Sequence, residues 1–175
     1  MKSTLKINNR TRLLVECSLA CAMGYVLSYI RIFTMPQGGS VTLAPVPILA
    51  LSIISGIKPG AAAGFALGVL KIITSGHVIG WVQAFIDYPA AYALLSAVAL
   101  APRKDVLTLV VFSIAAFCLK TGAHVYSGYL FFGGSLKTSL VYNLSYSLPE
   151  LALCVLALYA LIKNGAVFSG RMNKN

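Results

Sequence analysis

The sequence predicts an all-α membrane protein, a bundle of six transmembrane helices with both termini in the cytoplasm. Of its 175 residues, 58% are hydrophobic and only 10% are charged, whereas about a quarter of the residues in a soluble domain are charged. The mean hydropathy is +0.84, and a water-soluble core of this size cannot hide so much apolar surface. We therefore expect residues 1–175 to form one domain that is embedded in a lipid bilayer.

Six apolar segments are separated by turns that contain glycine and proline. The predicted spans are about 13–33, 41–55, 60–74, 81–101, 106–127 and 139–162. The strongest break lies at residues 55–60, which contain two glycines and one proline. The second and third spans are short, and the third is rich in glycine and alanine.

The net charge of +10 indicates membrane topology rather than nucleic-acid binding. If the chain crosses the membrane six times, one side carries Lys2, Lys6, Arg10, Arg12, Lys58, Arg103, Lys104, Lys163, Arg171 and Lys174. Cytoplasmic loops of membrane proteins carry such an excess of basic residues. We therefore expect a multi-pass protein of the cell membrane, with the lipid bilayer and not a nucleic acid as its charged partner.

Three of the four acidic residues lie inside apolar spans: Glu16, Asp87 and Glu150. A carboxylate at the centre of a bilayer costs about 2.5–3.5 kcal/mol even on lenient insertion scales. Their presence indicates a polar site inside the helix bundle.

Each of the last three predicted helices carries one polar stripe. In the fourth helix Gln83 and Asp87 are four apart, with Tyr88 adjacent and Trp81 near the outer end; the fifth carries Lys120 and His124, and the sixth Asn143, Glu150 and either Tyr146 or Ser147. Residues three or four apart share a helix face, and a polar face against lipid is expensive, so the stripes should converge. Asp87 lies about 9 Å below the outer edge of its helix, which predicts a pocket that opens to the exterior.

The residue types in these stripes suit a flat heteroaromatic cation. Asp87 supplies a carboxylate, and several tyrosines supply ring faces, from which a desolvated cation gains about 2 kcal/mol or more. An alternative is that Asp87 and Lys120 form a buried ion pair that only fixes helix packing. The chain has no GxxxxGK[ST], GxSxG or HExxH motif, and its four cysteines form no CxxC pair, so we expect no enzymatic activity, no cofactor and no metal.

Small residues at helix spacing predict close helix contacts. In the third span Gly60, Gly64 and Gly68 should pack within the bundle. In the first span, the pairs Ser18 with Ala22 and Ala20 with Gly24 are the candidates for docking a partner protein. The predicted loop at residues 34–40 contains a glycine pair and is a candidate lid, with Gln37, Gly38 and Gly39 at its centre.

Several segments resemble the thiamine-specific S components of energy-coupling factor transporters, the ThiT or YuaJ family. The resemblance covers nearly the whole chain, in order, through residues 35–43, residues 83–88, Lys120 with His124, and residues 142–150. It implies a protein that captures thiamine from the exterior and delivers it with a transmembrane coupling subunit and two ATPase subunits.

The resemblance also implies roles for particular residues. It implies that Asp87 engages the cationic ligand and that Tyr88, Lys120, His124, Phe132 and Asn143 contact it. It implies that Ser18 and Ala22, with Ala20 and Gly24, dock the coupling subunit. Two alternatives remain open: an S component for a thiamine precursor or another vitamin, and a proton-coupled secondary transporter that uses Asp87, His124 and Glu150 as a relay.

Overall fold

A computed structural model shows six helices and one short hairpin in the residues that it describes, which are 8–36, 38–74, 78–102 and 105–164. The helices are α1 (Asn9–Leu27), α2 (Pro45–Ser55), α3 (Ile57–Thr74), α4 (Trp81–Leu100), α5 (Val106–Phe131) and α6 (Leu136–Lys163). The hairpin joins α1 to α2 and pairs β1 (Phe33–Thr34) antiparallel to β2 (Ser40–Val41). Helices α3 to α6 are each long and apolar enough to cross a membrane. The predicted six-helix fold is confirmed, and the hairpin is an addition that the sequence did not predict.

Helix α1 lies closer to the N-terminus than the predicted span of about 13–33. It begins early because the side chain of Asn8 caps it, accepting a hydrogen bond from the backbone N–H two residues on at 3.2 Å. It ends at Leu27, and the apolar residues that follow enter the hairpin, where Ile32 donates a backbone hydrogen bond to Val41 at 3.0 Å. The prediction that this helix extends to about residue 33 was wrong, because hydropathy does not distinguish a helix end from an apolar strand.

Glycines allow α3 to lie directly against two other helices. A Cβ on Gly60 would collide with α2, and a Cβ on Gly64 or Gly68 would collide with the backbone of α4. The expectation that this stripe packs within the bundle is confirmed. The fully buried side chains of the bundle's core include Ile48, Leu49, Leu67, Leu95, Phe117 and Leu158.

Helix α4 changes its winding where it faces the interior of the bundle. Residues Ile86–Ala90 form a π-helical turn that contains Pro89, and residues Leu95–Leu100 are wound as a 3₁₀ helix. Proline has no N–H to donate to the preceding turn, so the regular pattern is interrupted there. Such π turns occur frequently at functional sites, and this one carries Asp87 and Tyr88.

Replacing Gly68 with alanine should disturb this turn. The added Cβ would meet the backbone of Tyr88 and Pro89, and such overpacking costs about 1–3 kcal/mol. The expected result is a lower melting temperature of the purified protein in detergent. Gly122→Ala is the matched control, because a Cβ at Gly122 in α5 meets nothing within 4 Å. Equal melting temperatures for the two variants would contradict the packing argument.

The two small-residue pairs of α1 face different surroundings. Ala20 is buried, and a Cβ on Gly24 would lie 2.7 Å from Cδ2 of Leu67, so these two residues pack inside the bundle. They are therefore removed from the predicted docking face. Ser18 and Ala22 are exposed on the face of α1 that points away from the bundle.

Candidate functional site

A cavity of about 280 Å³ lies among α3, α4, α5 and α6, and the hairpin loop reaches over it. The structure brings to its lining nine of the residues that the sequence placed on the polar stripes or at the ligand: Gln83, Asp87, Tyr88, Lys120, His124, Phe132, Asn143, Tyr146 and Glu150. They come from three separate helices and the end of α5, as the converging polar stripes predict. The cavity is therefore the candidate ligand site.

Asp87 is held in place from two sides. Its Oδ2 accepts a hydrogen bond from Nε2 of Gln83 at 2.6 Å, and its Oδ1 lies 3.3 Å from Nδ1 of His124. Gln83 is itself fixed, because its Oε1 accepts from the backbone N–H of Ile79 at 3.0 Å. The side chain of Asp87 is 15% exposed, so its carboxylate faces the cavity with little water around it.

The polar face of α6 is tied together by its own side chains. Asn143 donates through Nδ2 to the carbonyl of Ser139 at 2.9 Å and accepts through Oδ1 from the hydroxyl of Tyr146 at 2.8 Å. The Tyr146 ring lies near two other rings, with its centroid 5.8 Å from that of Tyr142 and 6.4 Å from that of His124. These contacts hold the aromatic wall of the cavity in place.

The hairpin loop covers the same wall. Gly39 lies over the Tyr146 ring so closely that a Cβ there would be 2.6 Å from its Cε1, and its N–H donates to the Tyr142 hydroxyl at 3.3 Å. Gly38 has a φ of +95°, a conformation that favours glycine. Both glycines of the predicted lid line the cavity, while Gln37 lies outside the described residues.

The inner end of the cavity contains a buried ion pair. Nζ of Lys120 lies 2.5 Å from Oε2 of Glu150, and the two side chains are 3% and 2% exposed. Oε1 of Glu150 accepts from the hydroxyl of Thr42 at 3.0 Å. The alternative in which Asp87 pairs with Lys120 is wrong, because the partner of Lys120 is Glu150.

Comparison with known proteins decides the family. The sequence model described as "Thiamine transporter protein (Thia_YuaJ)" matches residues 14–169. This chain belongs to that family. ThiT of Bacillus subtilis (strain 168), named a thiamine transporter, is 29% identical over an alignment 168 residues long that covers 83% of this chain and 87% of that protein. ThiT of Lacticaseibacillus paracasei (strain ATCC 334) is 29% identical over an alignment 86 residues long that covers 47% of this chain and 43% of that protein.

A solved structure supports the fold independently. ThiT from Listeria monocytogenes superposes with a TM-score of 0.75 at 21% sequence identity, covering 90% of this chain and 96% of the other. At that identity the similarity establishes the shared fold alone.

Two residues that the sequence placed in the ligand site lie elsewhere in this member of the Thia_YuaJ family. Trp81 is the first residue of α4 and is 86% exposed, which suits an aromatic side chain at a membrane interface. Ser147 is buried, but it faces a separate apolar cleft between α5 and α6 that Phe117 and Leu148 also line. It follows Tyr146 directly, and one residue along a helix turns the side chain by about 100°. Of the two open choices on α6, the structure therefore places Tyr146 at the cavity.

Lys71 and Tyr92 line the cavity although the sequence analysis did not single them out for the site. Nζ of Lys71 lies 5.1 Å from the centroid of the Tyr92 ring, and Nζ of Lys120 lies 5.7 Å from the same centroid. A lone lysine near the end of an apolar helix commonly reaches the interface, so its position in sequence gave no sign of the cavity. The close contact of Gly64 with the Tyr92 carbonyl is what brings α3 and its lysine to this wall.

Proposed function

We propose that this chain binds thiamine in the cavity and acts as the substrate-binding (S) component of an energy-coupling factor importer in the cell membrane. Family membership supports thiamine as the ligand. The observation that carries the proposal is the carboxylate of Asp87, held nearly out of water in a cavity with aromatic walls. Thiamine joins a positively charged thiazolium ring to an aminopyrimidine ring, so it is a planar heteroaromatic cation of the kind this cavity suits.

Each group in the cavity has a distinct role in this proposal. Asp87 opposes the positive charge of the ligand, and a charge-assisted contact in a site of low dielectric is stronger than in water. The rings of Tyr88, Tyr146 and Phe132 pack against the ligand rings. Asn143 presents a fixed amide for hydrogen bonding. The chain binds and releases its ligand without changing it chemically.

The exposed face of α1, which points away from the bundle, is the proposed docking site for the transmembrane coupling subunit. That subunit in turn joins two ATPase subunits. Ser18 and Ala22 are exposed there, and the large apolar side chains of Leu14, Leu19 and Val26 are exposed on the same helix. Small residues four apart allow a partner helix to approach closely within a membrane.

Calorimetric titration of thiamine into the purified, detergent-solubilised protein tests the proposal. Calorimetry is preferable to tryptophan fluorescence, because Trp81 is the only tryptophan in the sequence and lies exposed, outside the cavity. A saturable, one-to-one heat of binding is expected. A competition panel of thiamine precursors and other vitamins separates thiamine from the alternative ligands. The absence of saturable binding by thiamine would overturn the assignment.

Gly39→Val is expected to weaken thiamine binding by about tenfold and to lower the melting temperature little. The branched side chain has no room above the Tyr146 ring, so the lid would close incompletely, and lid closure excludes water from a site. Isothermal calorimetry measures the affinity. Gly134→Ala is the control, since Gly134 also lines the cavity but a Cβ there meets its neighbour at an ordinary 3.5 Å. Equal affinities for both variants would show that the hairpin does not act as a lid.

A further inference from the structure

Thr42 lies at the base of the hairpin, between β2 and the first turn of α2, and is only 1% exposed. Its hydroxyl donates a hydrogen bond to Oε1 of Glu150 at 3.0 Å, and its carbonyl accepts one from Sγ of Cys154 at 3.5 Å. Glu150 and Cys154 are four residues apart and therefore share one face of α6. The base of the hairpin is thus attached to α6 at two successive turns.

The hairpin contacts the cavity wall through its second strand. Both residues of β1 are exposed, whereas Val41 of β2 is 4% exposed and Ser40 lines the cavity. Gly39 lies on the Tyr146 ring at the start of this strand, and Thr42 follows three residues later, about 10 Å away along an extended chain. The strand is therefore held at both ends, by Gly39 on the aromatic wall and by Thr42 at its base.

The bond at the base is charge-assisted and shielded from water. Glu150 is the partner of Lys120, and the two side chains are 2% and 3% exposed. A hydrogen bond to an ionised group is about twice as strong as one between neutral groups, and little water is present to replace the Thr42 hydroxyl. That hydroxyl is itself oriented, because its oxygen accepts from the backbone N–H of Ala44 at 3.4 Å. Thr42 therefore joins the hairpin both to α6 and to the start of α2.

We propose that Thr42 is a positioning residue for ligand capture, because its bond to Glu150 fixes the base of the hairpin and thereby holds Gly39 over the cavity. A hairpin with such short strands is marginally stable by itself, so its position depends on what it is attached to. Thr42 does not line the cavity and acts through the hairpin rather than on the ligand. The inference rests on the proposed function, in which the hairpin covers the ligand, and adds the residue that sets how long the ligand stays bound.

Thr42→Val removes the hydroxyl and nearly keeps the shape of the side chain. In detergent, we expect release of radiolabelled thiamine into an excess of unlabelled thiamine to become about tenfold faster, and association to change by less than about threefold. Thr42→Ser keeps the hydroxyl and should release thiamine within about threefold of the wild-type rate. Ser113→Ala is the matched control, because it removes another fully buried hydroxyl, which donates within α5 to the carbonyl of Leu109 at 2.7 Å. It should leave the release rate unchanged.

Hydrogen exchange on the ligand-free protein measures the hairpin itself and needs no thiamine. The amide of Gly39 donates to the hydroxyl of Tyr142, and the amide of Met35 donates to the carbonyl of Gly39, so both report the closed hairpin. They should exchange about tenfold faster in Thr42→Val, whereas the amides of α5 should keep their wild-type rates. Cys154→Ala removes the weaker bond to Thr42 and should speed the same hairpin amides by about twofold. It provides the test if Thr42→Val does not fold.

The outcomes separate this inference from the proposed function. Faster release together with faster hairpin exchange supports the role of Thr42. Faster release with unchanged hairpin exchange would mean that Thr42 acts on the Lys120–Glu150 pair instead, and unchanged release would mean that Thr42 does not retain the ligand. Either result overturns the inference while thiamine binding stands. If the wild-type protein binds no thiamine, the proposed function falls, and the exchange measurement alone decides whether Thr42 fixes the hairpin.

Discussion

Replacing Asp87 with asparagine is expected to weaken thiamine binding by about 5- to 150-fold, the equivalent of about 1–3 kcal/mol. The substitution keeps the shape of the side chain and removes its charge. The carboxylate is 15% exposed, so water screens it little and its attraction to a cation is stronger than at a surface. Isothermal calorimetry at one fixed salt concentration measures the change.

The local hydrogen bonds make the loss larger than that of a charge alone. Both oxygens of Asp87 face nitrogen atoms, Nε2 of Gln83 at 2.6 Å and Nδ1 of His124 at 3.3 Å. Asparagine offers only one oxygen, so its amide nitrogen faces one of these nitrogens or turns toward the ligand cation. Either position removes an acceptor where the wild-type site has one.

Asp105→Asn is the matched control for this variant. Asp105 caps α5 by accepting from the backbone N–H of Thr108 at 2.9 Å, and asparagine caps a helix about as well as aspartate. The control therefore removes one negative charge from the protein without disturbing the cavity. If Asp87→Asn and Asp105→Asn bind thiamine with equal affinity, Asp87 does not contact the ligand.

The sequence predicted the long helices well because the bilayer imposes their length and composition. The predicted span of about 106–127 corresponds to α5 (Val106–Phe131), and that of about 139–162 to α6 (Leu136–Lys163). The hairpin between α1 and α2 could not be predicted in the same way. Its strands are two residues long each, and a pattern of alternation needs at least about four residues to be recognised.

The site was predictable where a polar group had to be hidden from lipid. Asp87, Lys120 and Asn143 all line the cavity, since a polar side chain in an apolar helix is expensive anywhere else. Lys71 could not be placed by that argument, because a lysine three residues from the end of α3 can reach water at the interface. Trp81 was misplaced for a related reason: a ring near the outer end of a helix suits the interface as well as a pocket.

The sequence could not predict which buried charged side chains pair with each other. Glu150 is about a turn deeper than Tyr146 on α6, and nothing in the spacing of residues shows which lysine it meets. Its pairing with Lys120 depends on how α5 and α6 are rotated about their axes. The second oxygen of Glu150 accepts from Thr42, which lies between β2 and α2 and is distant in sequence.

Lys120→Met is expected to destabilise the fold by about 3–5 kcal/mol, because it leaves Glu150 buried without its counter-charge. Glu150 is 2% exposed, and the hydroxyl of Thr42 would be its remaining donor. The expected observation is a clearly lower melting temperature in detergent without ligand. Lys163→Met is the control, since Lys163 is an exposed lysine at the end of α6.

The double variant Lys120→Met with Glu150→Gln distinguishes a role in the fold from a role at the ligand. Removing both charges leaves no uncompensated carboxylate, and a glutamine can still accept a hydrogen bond from Thr42, so most of the lost stability should return. Because Lys120 also lines the cavity, thiamine affinity is measured on the same sample. Recovered stability with weak thiamine binding would mean that the pair also orders the ligand site. If Lys120→Met alone has the same melting temperature as the wild-type protein, the ion pair does not hold α5 to α6.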